Sequence, residues 1–104
     1  IIASTPEVGW PTPETLARIA LDGSDTDIRP TLAGYLARQK PVTDIFEDMH
    51  RRYGVAIVYP HKILCAGGRC RVMLDSKPIY RDSHHLIYRG VELLHPALDP
   101  LLDR

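Results

Sequence analysis

No stretch of the 104 residues approaches the roughly 20 consecutive apolar positions that a bilayer-crossing helix needs. No signal peptide opens the chain either. It begins Ile1-Ile2-Ala3 without a starting methionine, which reads as a portion cut from something longer. Neither sign of charge is in excess, with thirteen Lys and Arg against thirteen Asp and Glu. A dense basic stripe with interleaved aromatics is missing, so nucleic acid is not an expected partner. Asparagine is absent altogether, and cysteine occurs only twice. What is present is ordinary for a folded chain: 44% hydrophobic and 25% charged residues exclude disorder throughout. The length fits one domain, able to bury roughly 60–70% of its extended surface.

Charge is unevenly placed. Residues 1–50 carry four basic and eight acidic side chains, and residues 51–104 carry nine basic and five acidic. The resulting dipole can steer a ligand. Along the chain, Ile1 to Thr5 is β-branched and reads as the end of a buried strand. Pro6 to Pro11 is punctuated as a loop. Thr12 is placed as an N-cap before Pro13 and Glu14, and predicts a helix to about Leu21 that buries Leu16, Ile19 and Ala20. Asp22 to Asp27 makes a polar, mobile surface loop. A helical pattern resumes at Thr31 with Leu32, Tyr35 and Leu36. Pro41 restarts it, and Val42, Ile45, Phe46, Met49 and Tyr53 follow at helical spacing as core. Gly54 ends that helix. Val55 to Tyr59 is a short apolar strand, and a helix feeding a fully buried strand predicts a parallel sheet. Arg71 to Leu74 and Lys77 to Tyr80 predict a small hairpin across Asp75-Ser76. A last helix runs through Glu92 to Leu94, broken or kinked by Pro96 and Pro100.

Two groups of residues can carry chemistry. Cys65 and Cys70 flank a glycine-rich turn. Their spacing suits a disulfide, two free thiols, or a metal site shared with His61, although zinc needs a fourth ligand and none stands out nearby. The second group is sharper. Asp82 lies three residues before His85, so its carboxylate can accept the Nδ1–H and fix the tautomer. Nε2 is then left to take a proton from a nucleophile and return it. A solvated polar turn has the same spacing, His84 competes for the same role, and Asp82, His84 and His85 together fit a metal. His95 reads as a helix-end histidine.

The run Cys65-x4-Cys70, then Ile79-Tyr80-Arg81-Asp82-Ser83-His84-His85-Leu86, then Gly90, resembles the end of an SGNH-hydrolase domain. More specifically it is similar to the periplasmic SGNH domain fused to integral-membrane acyltransferases that O-acetylate bacterial surface polysaccharides. There the pattern is approximately C-x4-C, a short hairpin, then L-Y-x-D-x-x-H-L-S-x-x-G-A. Pro6 to Pro11 and the helix with Tyr35, Arg38 and Val42 resemble that domain as well, so the likeness covers nearly the whole chain. It implies that Asp82 is the triad aspartate, that His85 is the triad histidine, and that Cys65 and Cys70 match a cysteine pair of such domains. Ile87 and Val91 depart from the usual Ser and Ala.

The larger departure is what the pattern lacks here. The family's nucleophile lies in a Gly-Asp-Ser block, and its oxyanion donors include a glycine and an asparagine from two further blocks. Gly23-Ser24-Asp25 has the wrong order, and Ser4, Ser76 and Ser83 have no supporting context. The resemblance therefore implies an α/β fold, a partial three-layer sandwich with a parallel sheet of SGNH-hydrolase or flavodoxin-like type, in which residues 1–104 are the C-terminal half. It implies acyl transfer to, or ester hydrolysis on, a cell-surface polysaccharide at the periplasmic face of a bacterial inner membrane, with no metal or cofactor. The implied partners are the upstream half carrying the serine, a membrane-embedded acyltransferase domain, and a polysaccharide or acylated sugar. The fragment alone is expected to be inactive and prone to self-association. The rival readings are a non-catalytic module that binds glycan or positions a membrane acyltransferase, and a free-standing domain with a metal on Asp82, His84 and His85. An upstream Gly-Asp-Ser block separates the catalytic reading from the non-catalytic module, and elemental analysis exposes the metal reading.

Overall fold

The computed structural model describes residues 1–102. Helix α1 spans Thr12–Asp22 and α2 spans Leu32–Tyr53. A single turn, α3 at His61–Leu64, leads into two hairpins, β1 (Cys65–Ala66) with β2 (Arg69–Cys70), and β3 (Met73–Leu74) with β4 (Lys77–Pro78). Helices α4 (Tyr88–Glu92) and α5 (His95–Leu102) close the chain. None of the helices among the described residues is long and apolar enough to cross a membrane.

The expected parallel sheet is reduced to one contact. Ile2 and Val58 form an isolated parallel bridge, held by Ala3 N–H to the Val58 carbonyl and Val58 N–H to the Ile1 carbonyl, each 2.8 Å. Val55 to Tyr59 is otherwise not a strand, and both hairpins are antiparallel. The physical reason is that a parallel pair has no local turn to close it and depends on neighbours on both edges. No third strand flanks Ile2 and Val58 among the described residues.

Local signals account for most elements. Proline stands in the first turn of α1, and Gly23 ends the helix in the left-handed region at φ 63°. The N-cap is Pro11 rather than Thr12. Thr12 is fully buried as the first helical residue, and its hydroxyl donates to the Trp10 carbonyl at 3.3 Å. Leu16 and Ile19 are only half-buried and Ala20 is exposed. The Thr31 hydroxyl accepts from Gly34 N–H at 3.1 Å and caps α2. Pro41 does not restart this helix. It sits inside one continuous 22-residue element, where the ring deletes a single N–H from the ladder, and Lys40 pairs with Asp44 across it at 3.0 Å. Pro100 likewise lies within α5, and His95 opens that helix. In the β3–β4 turn Asp75 and Ser76 both have positive φ, 53° and 64°, matching the twist that a two-residue hairpin needs.

The core is small. Val8, Leu64, Val72, Ile79, Tyr80 and Leu94 are buried together, with Leu16, Ile28 and Leu86 packed against them. Most of α2 lies outside it. Tyr35 is its one buried residue, Phe46 and Met49 are half-buried, and Val42, Ile45 and Tyr53 face solvent at 41%, 59% and 73% exposure. The core expected along this helix is thus an uncovered apolar stripe. Its effect is visible in the outline. The chain measures 51 × 30 × 22 Å with a radius of gyration of 15.1 Å, against about 13 Å for a compact domain of this length. Its accessible surface is 6923 Å², where a compact protein of this mass exposes about 5,900 Å².

Candidate active site

The segment Ile79–Ile87 is a loop pinched at its base. Ile87 N–H donates to the Ile79 carbonyl at 2.9 Å, Tyr80 and Leu86 form an antiparallel bridge, and Arg81 N–H donates to the His85 carbonyl at 2.7 Å. Within it the chain turns tightly around the Asp82 carboxylate. Oδ1 accepts the backbone N–H groups of His84 and His85 at 2.9 and 2.7 Å, and Oδ2 lies 2.7 Å from Nδ1 of His85. The backbone N–H of His84, then the His85 ring, hold the Asp82 carboxyl well below the usual carboxylate range. The carboxylate is therefore ionised and oriented, and it fixes the imidazole through Nδ1. Nε2 of His85 makes no hydrogen bond among the described residues, and the side chain is 55% exposed.

His84 does not have this arrangement. Its Nδ1 lies 2.9 Å from the Ser83 hydroxyl and 3.8 Å from Asp82 Oδ1. Serine and carboxylate thus approach the same ring nitrogen. A relay needs them on opposite nitrogens, so His84 cannot pass a proton between them. The other serines lie elsewhere: Ser24 bonds Thr26 in the loop after α1, Ser76 is in the β3–β4 turn, and the Ser4 carbonyl accepts the Tyr35 hydroxyl at 2.6 Å.

The loop is braced by a distant segment. Val8 N–H donates to the Ser83 carbonyl at 2.8 Å, and Thr12 N–H to the Asp82 carbonyl at 3.4 Å. The Thr5 hydroxyl donates to the His84 carbonyl at 3.2 Å, and the fully buried Tyr80 donates its hydroxyl to the Pro6 carbonyl at 2.8 Å. Residues 5–12, read from sequence as a strand end at Thr5, a loop over Pro6 to Pro11 and an N-cap at Thr12, are thus the wall behind the dyad. The available signal was the pair of prolines with Gly9, which stiffens an irregular path. On the other side Gly90 of α4 approaches closely: a Cβ there would stand 2.6 Å from the Ile79 carbonyl oxygen.

Cys65 and Cys70 are joined, as register partners of β1 and β2. This removes the thiol and metal readings of the pair. The hairpin anchors the start of α2, since Leu32 N–H donates to the Gly68 carbonyl and Cys70 N–H to the Pro30 carbonyl, both 2.9 Å. His61 stands apart, its ring against Tyr35 and Tyr59 at 5.2 and 5.7 Å. A cleft of 580 Å³ runs between Leu16, residues 25–29 and residues 71–75, and no residue of the Asp82 loop lines it. The dyad sits on open surface.

A family model described as SGNH domain (fused to AT3 domains) matches residues 1–100. No curated protein and no solved structure matches the chain.

Proposed function

The chain belongs to the family of SGNH domains fused to AT3 domains, and from that premise we propose that it supplies the acid–base half of an acyl-transfer or ester-hydrolysing centre. The observation that carries this reading is the 2.7 Å contact from Asp82 Oδ2 to His85 Nδ1, with Nε2 left open to solvent. In this scheme His85 takes the proton of a serine hydroxyl as the serine attacks an acyl carbonyl, then returns it to the leaving oxygen. Asp82 holds the tautomer and offsets the imidazolium charge. The serine comes from a segment outside these 104 residues, whose sequence has no Gly-Asp-Ser block. The substrate is an acylated sugar or cell-surface polysaccharide, and the partner is a membrane-embedded acyltransferase domain of the same protein. The Cys65–Cys70 bond supports a setting on the periplasmic face of a bacterial inner membrane.

The test is acyl transfer in a protein that joins this chain to its serine-bearing segment. The chain alone should turn over activated acetyl esters negligibly. In the joined protein His85→Ala should lower kcat by about 10⁶-fold, and Asp82→Asn by about 10⁴-fold, because the wrong tautomer makes Nε2 a donor. His84→Ala should cost far less. An inactive His84 variant beside an active His85→Ala would overturn the assignment, and full activity in all three would favour a non-catalytic, glycan-binding module.

A further inference from the structure

The same turn gathers a third side chain, His84, that acid–base catalysis does not use. Asp82, His84 and His85 each place a ligand atom within 4.8 Å of the others, and the two imidazole rings lie 4.1 Å apart between centroids. All three side chains are partly open, at 40%, 52% and 55% exposure, so an ion from solution can reach them. We propose that these residues form a capture site for a borderline divalent cation, Zn²⁺ in particular, and that filling it silences the dyad.

The chemistry of the donor set supports the metal class. Two imidazoles and one carboxylate suit zinc, with water completing the coordination shell, whereas magnesium prefers oxygen ligands alone. The carboxylate is ionised at neutral pH and already oriented by two backbone N–H groups, and Ser83 contacts His84 from outside. Outer partners of this kind fix metal ligands. Both rings are more than half exposed and none of the three residues belongs to the core, so the rings are free to turn towards a shared ion. Coordination competes directly with catalysis. Through Nδ1 of His85 the metal displaces the proton shared with Asp82, and through Nε2 it occupies the nitrogen that would take the serine proton, so a bound cation removes His85 as the base either way. This silencing rests on the proposed role of the dyad, but the binding itself does not.

The experiment titrates ZnCl₂ into the folded full chain, read by calorimetry and by the imidazole resonances, with MgCl₂ as the control. One equivalent of zinc should bind at micromolar concentration and shift His84 and His85, with no response to magnesium. Loss of an outer partner alone weakens metal by about 10–100-fold, so His84→Ala and Asp82→Asn should each weaken zinc by at least about 10-fold. In the joined protein, zinc should inhibit the parent sequence, and the ratio of activity with and without zinc should return towards one in His84→Ala. Absent binding, equal binding in His84→Ala, or shifts confined to His50, His61 or His95 would overturn the site. Zinc that binds as described without inhibiting overturns the silencing, and an active His85→Ala overturns the catalytic reading while leaving the metal site standing.

Discussion

Replacing Gly90 by alanine sets two physical effects against each other. On an open helix the change is favourable by about 1 kcal/mol, because glycine pays more backbone entropy. Here the new methyl would stand 2.6 Å from the Ile79 carbonyl oxygen and 2.8 Å from Leu86 Cδ2. A carbon ordinarily meets a carbonyl oxygen no closer than about 3.3 Å, so a shift of roughly 0.7 Å is forced. The obstructing atom is backbone and cannot swing aside, which puts the overpacking cost near the upper end of the usual range, about 3 kcal/mol. The net loss is about 2 kcal/mol, or a fall in Tm of roughly 8–16 °C for a chain of this size. The displaced carbonyl is the one that accepts Ile87 N–H and closes the loop of Asp82 and His85. The imidazole resonances of His85 should therefore move in Gly90→Ala. Gly54→Ala is the control: its added Cβ meets nothing within 4 Å, and any strain comes only from φ 69°. Thermal unfolding with imidazole spectra checks both. A Gly90→Ala protein that melts at or above the parent temperature would refute the reasoning, since propensity would then have outweighed contact.

Other expectations follow from the same contacts. Tyr80→Phe leaves the Pro6 carbonyl without its 2.8 Å donor, and denaturant unfolding should show a loss of about 1–3 kcal/mol. Burial pushes the Tyr80 phenol up to about 12. The unfolded phenol ionises near 10, so stability is complete below about pH 10 and falls as pH rises towards 12. Unfolding curves across that window should steepen less for Tyr80→Phe, and identical alkaline profiles would refute the linkage. In protein prepared under oxidising conditions, intact mass after alkylation without reductant should show neither Cys65 nor Cys70 modified. Its reduction should cost about 2 kcal/mol for so short a loop. The uncovered stripe of α2 should drive association of the isolated chain, which Ile45→Glu should weaken in sedimentation runs at rising concentration. A monodisperse monomer across that range would mean the stripe needs no cover.

What the sequence disclosed was largely what the chain settles locally. The Asp82–His85 contact spans three residues, the Cys65–Cys70 hairpin closes on its own glycines, and the Asp75-Ser76 turn obeys two-residue hairpin chemistry. Periodicity found α2 but misjudged its surroundings, because apolar spacing says which face seeks cover and not whether cover is present. Proline at 41 was overweighted, as one missing N–H was absorbed by a long helix capped at both ends. The brace from residues 5–12 was not legible, since its partners at Tyr80 to His84 lie 70 or more positions away and carry no sequence signature of pairing. The parallel sheet was inferred from two apolar segments that meet at only one bridge.

The bond from the Tyr80 hydroxyl to the Pro6 carbonyl joins positions separated by 74 residues, and this has a consequence during synthesis. A ribosome adds about 5–20 residues per second, so Pro6 waits roughly 4–15 s before Tyr80 exists. Over that interval Val8 and Thr12 lack the Ser83 and Asp82 carbonyls that accept their backbone N–H groups. The wall of the dyad is made before the dyad and ordered only with it. Nascent chains halted before Tyr80 should therefore form both long helices, yet leave residues 5–12 open to proteolysis until Tyr80 to His84 are added.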